Sequence, residues 1–523
     1  MVYYKSPSLV ILRVWALRLS YYVLFHKIKK VYLITLSLFS LVLLLVLAVA
    51  QTPRLSVPFF LPPSPIQSIR NFNHLLFMDT NPIQEEHNHV TPISEMNNDL
   101  LASMYKKIAE PPRLLSNAAG KASCCIFRVP QSLLEINGKS YQPHIVSIGP
   151  YHRGEPHLRM IEEHKWRYLG SLLSRTEPKG LALQHYLKSI EPMEARAREC
   201  YSETIHLSSD EFVEMMVLDG CFLIELFRKN GRVVRFERDD PLVNMFWVIP
   251  FMVRDFLRLE NQIPYFVLEH LYDLITKAED RKDSVKSLSL LALGFFNNHM
   301  LRPDPVIEKL HSLTGKHLLD LLRLSVIPAG YAEPQRSSTP THIIHCVSKL
   351  RHAGIKLNAK EFESFLMVKF KRGVIEMPTI TIDDFMSAFL LNCVAYEQCH
   401  KSCSKHITTY ATLLDCLVNS YKDVEYLCDR NIMENCYGND GEIAHFINNM
   451  GKDVAFDYDR CYLSKLFNDV HDYYRNSWHV TWASFKYTYF DTPWSFVSAL
   501  AALILLILTV LQTLYSVLSF YNS

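Results

Sequence analysis

The last 32 residues, Thr492–Ser523, carry no charged side chain. Within them Phe496–Leu518 (FVSALAALILLILTVLQTLYSVL) is almost purely aliphatic. As a helix this run covers about 34 Å at roughly 1.5 Å per residue, enough to cross a hydrocarbon core of about 30 Å. A helix also satisfies every backbone group without water. A helix in a soluble core normally keeps a polar stripe, whereas this one is almost purely aliphatic and has no charged residue. Trp494 ahead of the run, and Tyr515 and Tyr521 near its end, suit the aromatic belts of a membrane interface. The expectation is a transmembrane helix over 496–518, with the lipid bilayer as its partner and a membrane as the location of the chain.

A second apolar run, Val31–Ala50, follows Lys27, Lys29 and Lys30. Three readings stand side by side. The run is a signal anchor or second transmembrane helix. It is a signal peptide ending at the small residues Ala48-Val49-Ala50. Or the upstream segment Leu9–Phe25, with Arg13 and Arg18 among apolar residues, lies in the interface as an amphipathic helix. The charge rule is divided. Basic residues before Val31 put the amino terminus inside, whereas Lys486 on the body side of the final run puts the body inside. The chain has no Asn-x-Ser/Thr sequon, and twelve cysteines in 523 residues fall far below a disulfide scaffold. Both observations favour a cytosolic body.

The chain is long enough for one large or two ordinary domains, and a net charge of +2 gives no nucleic-acid footprint. Residues 1–30 form a basic and apolar segment, 31–50 the second apolar run, and 51–118 a proline-dotted linker with a short helix near Asn98–Ile108. From 119 to 490 the pattern is mainly helical. Helices are expected at Leu158–Leu173, Ile190–Tyr201, Phe212–Phe227 (capped by Ser208-Ser209-Asp210), Phe251–Leu259, Tyr265–Ile275, His317–Leu324, His342–His352, Asp383–Gln398, Lys405–Ser420 and Asp423–Met433. Short β pieces are expected at Ile126–Val129, Ile145–Ile148, Arg232–Phe236 and Val374–Ile382. Pro328, Gly330, Pro334 and Pro340 mark a surface loop at 325–341, a candidate break between lobes. The fold class is therefore predominantly α-helical with a few short β-strands, one C-terminal transmembrane helix and a second candidate span near the N-terminus.

Motifs for chemistry are weak. Gly149–Gly154 (GPYHRG) has glycines at phosphate-loop spacing, but Glu155-Pro156 stands where Lys-Ser/Thr is needed, so it reads as a turn. Gly315-Lys316-His317 fails in the same way. Cys399, His400, Cys403 and His406, with Cys393 nearby, form the best zinc candidate. A straight helix points His400 about 100° away from Cys399, however, and zinc needs four converging ligands. His342, His345 and Cys346 share a helical face, and His87 and His89 fall in the linker. Asp219 and Glu225 are six apart on one helix, too divergent for a catalytic pair, so Asp219 is expected to orient a neighbouring backbone or basic group. Glu260-Asn261-Gln262 reads as a polar turn between helices, satisfying helix-end amides, with a buried hydrogen-bonding latch or ligand contact as the alternative. No G-x-S-x-G elbow is present. No catalytic residue, metal or cofactor is assigned.

Several blocks, in order, resemble a known family. They are Cys125-Ile126-Phe127-Arg128-Val129-Pro130, Tyr141-Gln142-Pro143, Val146–His152 (VSIGPYH), Glu162 with Lys165, Asp219–Glu225 (DGCFLIE), Leu259–Pro264 (LENQIP), Ala353-Gly354-Ile355, and Tyr487–Phe490 with Pro493-Trp494 running into the final apolar segment. Over about 124–521 the chain is similar to the plant family called domain of unknown function 247. The resemblance implies a membrane-tethered plant protein with no enzymatic activity. Some grass relatives are implicated in pollen self-incompatibility. The reading is a membrane-anchored, non-enzymatic recognition or signalling protein that meets an unknown protein partner. The alternative is a small-molecule-binding protein or hydrolase with a site assembled near Asp219, Glu260 or His152, and a self-associating scaffold is a third possibility.

Overall fold

In the computed structural model the described residues are 98–109, 114–116, 118–279, 286–331, 333, 341–475 and 493–522. The expectations for 1–30, for the apolar run 31–50 and for His87 and His89 lie outside them. The chain divides into two compact units, Met1–Ala102 and Ser103–Ser523. The second carries the folded body.

Its body is built around one helix. In α3 (Ser209–Asn230) nearly every residue from Phe212 to Lys229 is buried, as befits a helix apolar on all sides. Its start follows from the sequence: Ser208 accepts from the Glu211 N–H while the Glu211 side chain accepts from the Ser208 N–H, a capping box. Packed around it are α1 (Arg159–Thr176), α2 (Leu183–Ile190), α5 (Tyr265–Ala278) and α6 (Leu288–Met300). Gly220 permits the close passage of α5, since a Cβ there would lie 2.5 Å from Leu271 Cδ1. Between them runs α4 (Val248–Asp255), shorter than the expected Phe251–Leu259 and displaced toward the N-terminus, with turns through Leu259.

After α7 (Leu318–Val326) come α8 (Asp384–Cys399), α9 (His406–Leu417), α10 (Tyr421–Asp429), α11 (Asp440–Met450) and α12 (Ser464–Arg475). One cluster of buried apolar side chains extends from Cys124 to Val470, on both sides of residues 325–341. Arg323 of α7 reaches Glu397 of α8 at 2.8 Å, and Glu397 in turn accepts from the Ile407 and Thr408 N–H groups at the start of α9.

Strands are few. A three-stranded sheet has the order β1-β3-β2, with β1 (Lys356–Ala359) parallel and β2 (Lys369–Lys371) antiparallel to β3 (Val374–Met377). Arg372 and Gly373, both at positive φ, make the two-residue turn between β2 and β3. The expected strand Val374–Ile382 is in fact two, because Pro378 has no N–H to continue the ladder. Its second half, β4 (Ile380–Ile382), pairs in parallel with β5 (Met433–Asn435). The expected strands Ile145–Ile148 and Arg232–Phe236 are irregular, and of Ile126–Val129 only an isolated bridge from Ile126 to Tyr201 forms.

The chain ends in α13 (Pro493–Asn522), 30 residues or about 45 Å long. Within it Val497–Phe520 has a mean hydropathy of 2.4, and none of that window is buried. It is long and apolar enough to cross a bilayer. Its two threonine hydroxyls are satisfied within the helix: Thr509 donates to the Leu505 carbonyl and Thr513 to that of Thr509.

Candidate functional site

Five of the blocks noted in the sequence meet in one buried junction between the irregular segment 126–152 and the turn 255–264. Asp255, at the end of α4, accepts from the N–H groups of His144, Ile145 and Val146 at 2.8–3.1 Å. Asn261 Oδ1 accepts from Ile148 N–H at 2.7 Å, and its Nδ2 donates to the carbonyls of Val146 and Asp255. Asp219 accepts from Gly149 N–H at 2.8 Å and from Lys165 at 2.6 Å, and Lys165 also donates to the Ser147 carbonyl. Glu260 accepts from Val129 N–H at 2.8 Å and from Arg128 Nη1 at 2.7 Å. Gln262 completes the turn. Its Nε2 donates to the Phe256 and Arg258 carbonyls beyond α4, and its Oε1 accepts from Leu319 N–H in the first turn of α7.

The Glu260-Asn261-Gln262 triplet is the turn its sequence favoured, and it also makes the buried hydrogen-bonding latch of the alternative reading. Gln262 serves helix ends, and Asn261 is a latch onto the neighbouring segment. Asp219 orients a backbone amide and a lysine, as its sequence setting indicates. Gly149 is required here. Its φ is +80°, and a Cβ would stand 2.4 Å from the Gln262 carbonyl oxygen, which also accepts from Tyr201. The GPYHRG segment is a turn, with Gly154 likewise at positive φ. The Ala353-Gly354-Ile355 block lies elsewhere. It ends the helix Val347–His352, with Gly354 at φ +83° and Ile355 N–H returning to the Leu350 carbonyl.

The two central carboxylates differ in their electrostatics. Desolvation raises the Asp219 carboxyl above its ordinary value against the pull of Lys165. Burial works in the same direction on Glu260, but hydrogen bonds involving His152, Val129 N–H and Arg128 outweigh it and hold that carboxyl below its usual range. His152 lies between two carboxylates, with Nδ1 2.7 Å from Glu155 and Nε2 3.1 Å from Glu260. Glu225, six residues from Asp219, faces away and pairs with Arg228 and Arg175. These groups meet one another and the backbone, an arrangement that organises the interior.

The candidate ligand residues are dispersed among protein partners. His400 packs edge-on against Phe127, and His406 stacks on Tyr462 while meeting the Tyr331 carbonyl. His342 stacks on His471 and His345 tilts against Tyr474. His317 is buried, its Nε2 donating to the Cys125 carbonyl and its Nδ1 accepting from Asp320 N–H. Desolvation lowers its pKa to about 4. Among the described residues no group of three or more His, Cys, Asp or Glu is placed to hold a metal ion. The twelve cysteines are free thiols.

Two surface hollows were not visible in the sequence because each joins separate helices. One, of about 700 Å³, lies between Val347–His352 and α10, where Arg351, Lys422, Arg430, Glu425 and Asp429 surround Tyr426. The Arg351 guanidinium sits 4.2 Å over the Tyr426 ring. The other, of about 270 Å³, is a mainly aliphatic groove between α1, α2 and α3.

Comparison with known proteins agrees with the motif blocks. A UPF0481 protein of Arabidopsis thaliana is 37% identical over 440 residues, covering 79% of this chain and 90% of that protein. A putative UPF0481 protein of the same plant is 24% identical over 492 residues, covering 75% of this chain and 90% of its own. No solved structure matches. The family model described as a plant protein of unknown function matches residues 126–508, and this chain belongs to that family, domain of unknown function 247.

Proposed function

We propose that this chain is a membrane-anchored, non-enzymatic recognition protein whose helical body meets protein partners through its surface. The observation that carries the reading is α13. Its Val497–Phe520 stretch combines a mean hydropathy of 2.4 with no burial, whereas the long helices described between 159 and 475 bury their apolar faces. An anchor of this kind confines the body to a surface and raises its effective concentration for partners in the same membrane. The polar residues of the family blocks support a non-enzymatic body, since they are taken up by backbone amides and buried counter-charges. Free thiols and the absence of sequons support a cytosolic body. The alternative, a small-molecule site, draws on the hollow around Tyr426 with its three cationic side chains.

Two measurements test the proposal. In sealed vesicles, protease added outside should digest the body of a chain inserted with its cytosolic face outward, and protection would place the body in the lumen. Crosslinking in intact membranes should give discrete adducts between this chain and other proteins. Adducts with itself alone would make it a scaffold, and an exclusively monomeric result would contradict recognition through protein contacts.

A further inference from the structure

The groove between α1, α2 and α3 has a composition that specifies an occupant. Its floor is aliphatic, formed by Leu169 of α1, Leu183 and Leu187 of α2, and Val217 of α3. Trp166 stands on its edge, 48% exposed, with its ring open to an aliphatic partner entering the floor. Every charged side chain lining the groove is acidic: Glu191, Asp210 and Glu214. Asp210 in the first turn of α3 suits the positive end of that helix, but this does not account for Glu191, which follows α2, or for Glu214 one turn further on. Glu214 is paired with Arg153 at 3.1 Å, whereas Glu191 and Asp210 make no ion pair among the described residues. At about 270 Å³ the hollow takes one or two apolar side chains rather than a whole cofactor.

We propose that this groove binds an amphipathic helix of a protein partner. One or two of the partner's aliphatic side chains enter the floor beside Trp166, and Lys or Arg on the flanking turns face Glu191 and Asp210. Helix-in-groove recognition uses this division of labour. Apolar anchors at i, i+3 or i+4 supply affinity, and rim charges supply orientation and rate of encounter. The proposal deepens the reading that the body works through protein contacts, and it rests on that reading.

The test uses the full-length chain in a neutral maltoside detergent, with a fluorescent helical peptide of leucine and lysine at helical spacing as the probe. A leucine–glutamate peptide of the same pattern is the control. Glu191→Lys with Asp210→Lys reverses the rim at exposed positions, and an unchanged melting temperature confirms folding. The wild type should bind the lysine peptide and not the glutamate peptide. The reversed variant should lose at least about tenfold in affinity for the first and gain the second. Cross-linking from a photoreactive group at position 187 should label the lysine peptide. Equal binding by both chains, absence of binding, or labelling that ignores position 187 would each overturn the groove assignment. Repeating the in-membrane crosslinking with the reversed variant separates the two claims. Loss of heteromeric adducts supports the groove, and their full retention rejects it while leaving protein recognition standing.

Discussion

The buried junction and the terminal helix answer opposite demands on the backbone. Around Asn261 the chain is irregular, and side chains drawn from sites up to 133 residues apart replace the missing ladder of a helix or sheet. In α13 the backbone is regular throughout and even the threonine hydroxyls turn inward to carbonyls one turn back. The first region depends on polar side chains because it has no regular structure. The second needs none, and its 24-residue apolar window stays unburied. Substitutions in the junction should therefore unfold the body, whereas substitutions in the tail should change only where the body resides.

The largest effect is expected from Asp219→Ala. It takes one of two carboxylates from the buried Lys165, leaving only the part-exposed Glu162 at 2.6 Å, and strands the Gly149 N–H; breaking a buried pair in this way costs about 3 kcal/mol or more. Urea unfolding of the detergent-solubilised chain measures this, and a loss below 1 kcal/mol would mean that the pair is not structural. Asn261→Ala follows at about 3 kcal/mol, since it leaves the Ile148 N–H and the Val146 carbonyl without partners and removes one of two bonds to the Asp255 carbonyl. Retained stability with lost partner binding would instead make Asn261 a contact residue.

Acidification gives a third, somewhat smaller effect. Desolvation holds His317 at about 4 in the folded chain against 6.5 when unfolded. The unfolded state then binds the extra proton between those values, so stability is full above pH 6.5 and falls as pH drops toward 4. The share lost between pH 7 and pH 5 is about 2 kcal/mol. His317→Gln should flatten this part of the pH dependence of the urea midpoint, and an unchanged profile would reject it. The smallest effect is Leu508→Ala, at an exposed position in α13. It should leave body stability within about 0.5 kcal/mol, as surface changes do, and a larger loss would show that the tail packs on the body.

Much of the helical framework is legible in the sequence. Ser208-Ser209-Asp210 announces the start of α3, the helix expected from Asp383 begins one residue on with Asp383 as its cap, and Pro264 stands at the entry to α5. The shortfall lies in the irregular segments. Ile145–Ile148 has the composition of a strand, but its amides go to Asp255 and Asn261 rather than to a neighbouring strand. Residue type records the wish of a segment to be buried and extended. It does not record whether the hydrogen-bond partner will be a backbone or a side chain. The histidines of the 399–406 grouping, to which no metal is assigned, part for a related reason: His400 and His406 sit close in sequence, yet each meets an aromatic ring and a carbonyl or hydroxyl of its own. The groove beside Trp166 was beyond sequence reasoning because three helices contribute to it.

The proposal that one chain serves two solvents is tested most directly by alkaline carbonate extraction of membranes carrying two chains that lack residues 1–50, one full-length at its C-terminus and the other ending at residue 492. The chain that keeps its C-terminus should remain in the pellet and the one ending at residue 492 should be released, with the same thermal unfolding of the body in both. Release of the chain that keeps its C-terminus would contradict the anchor, and with it the assignment of the body to a membrane surface.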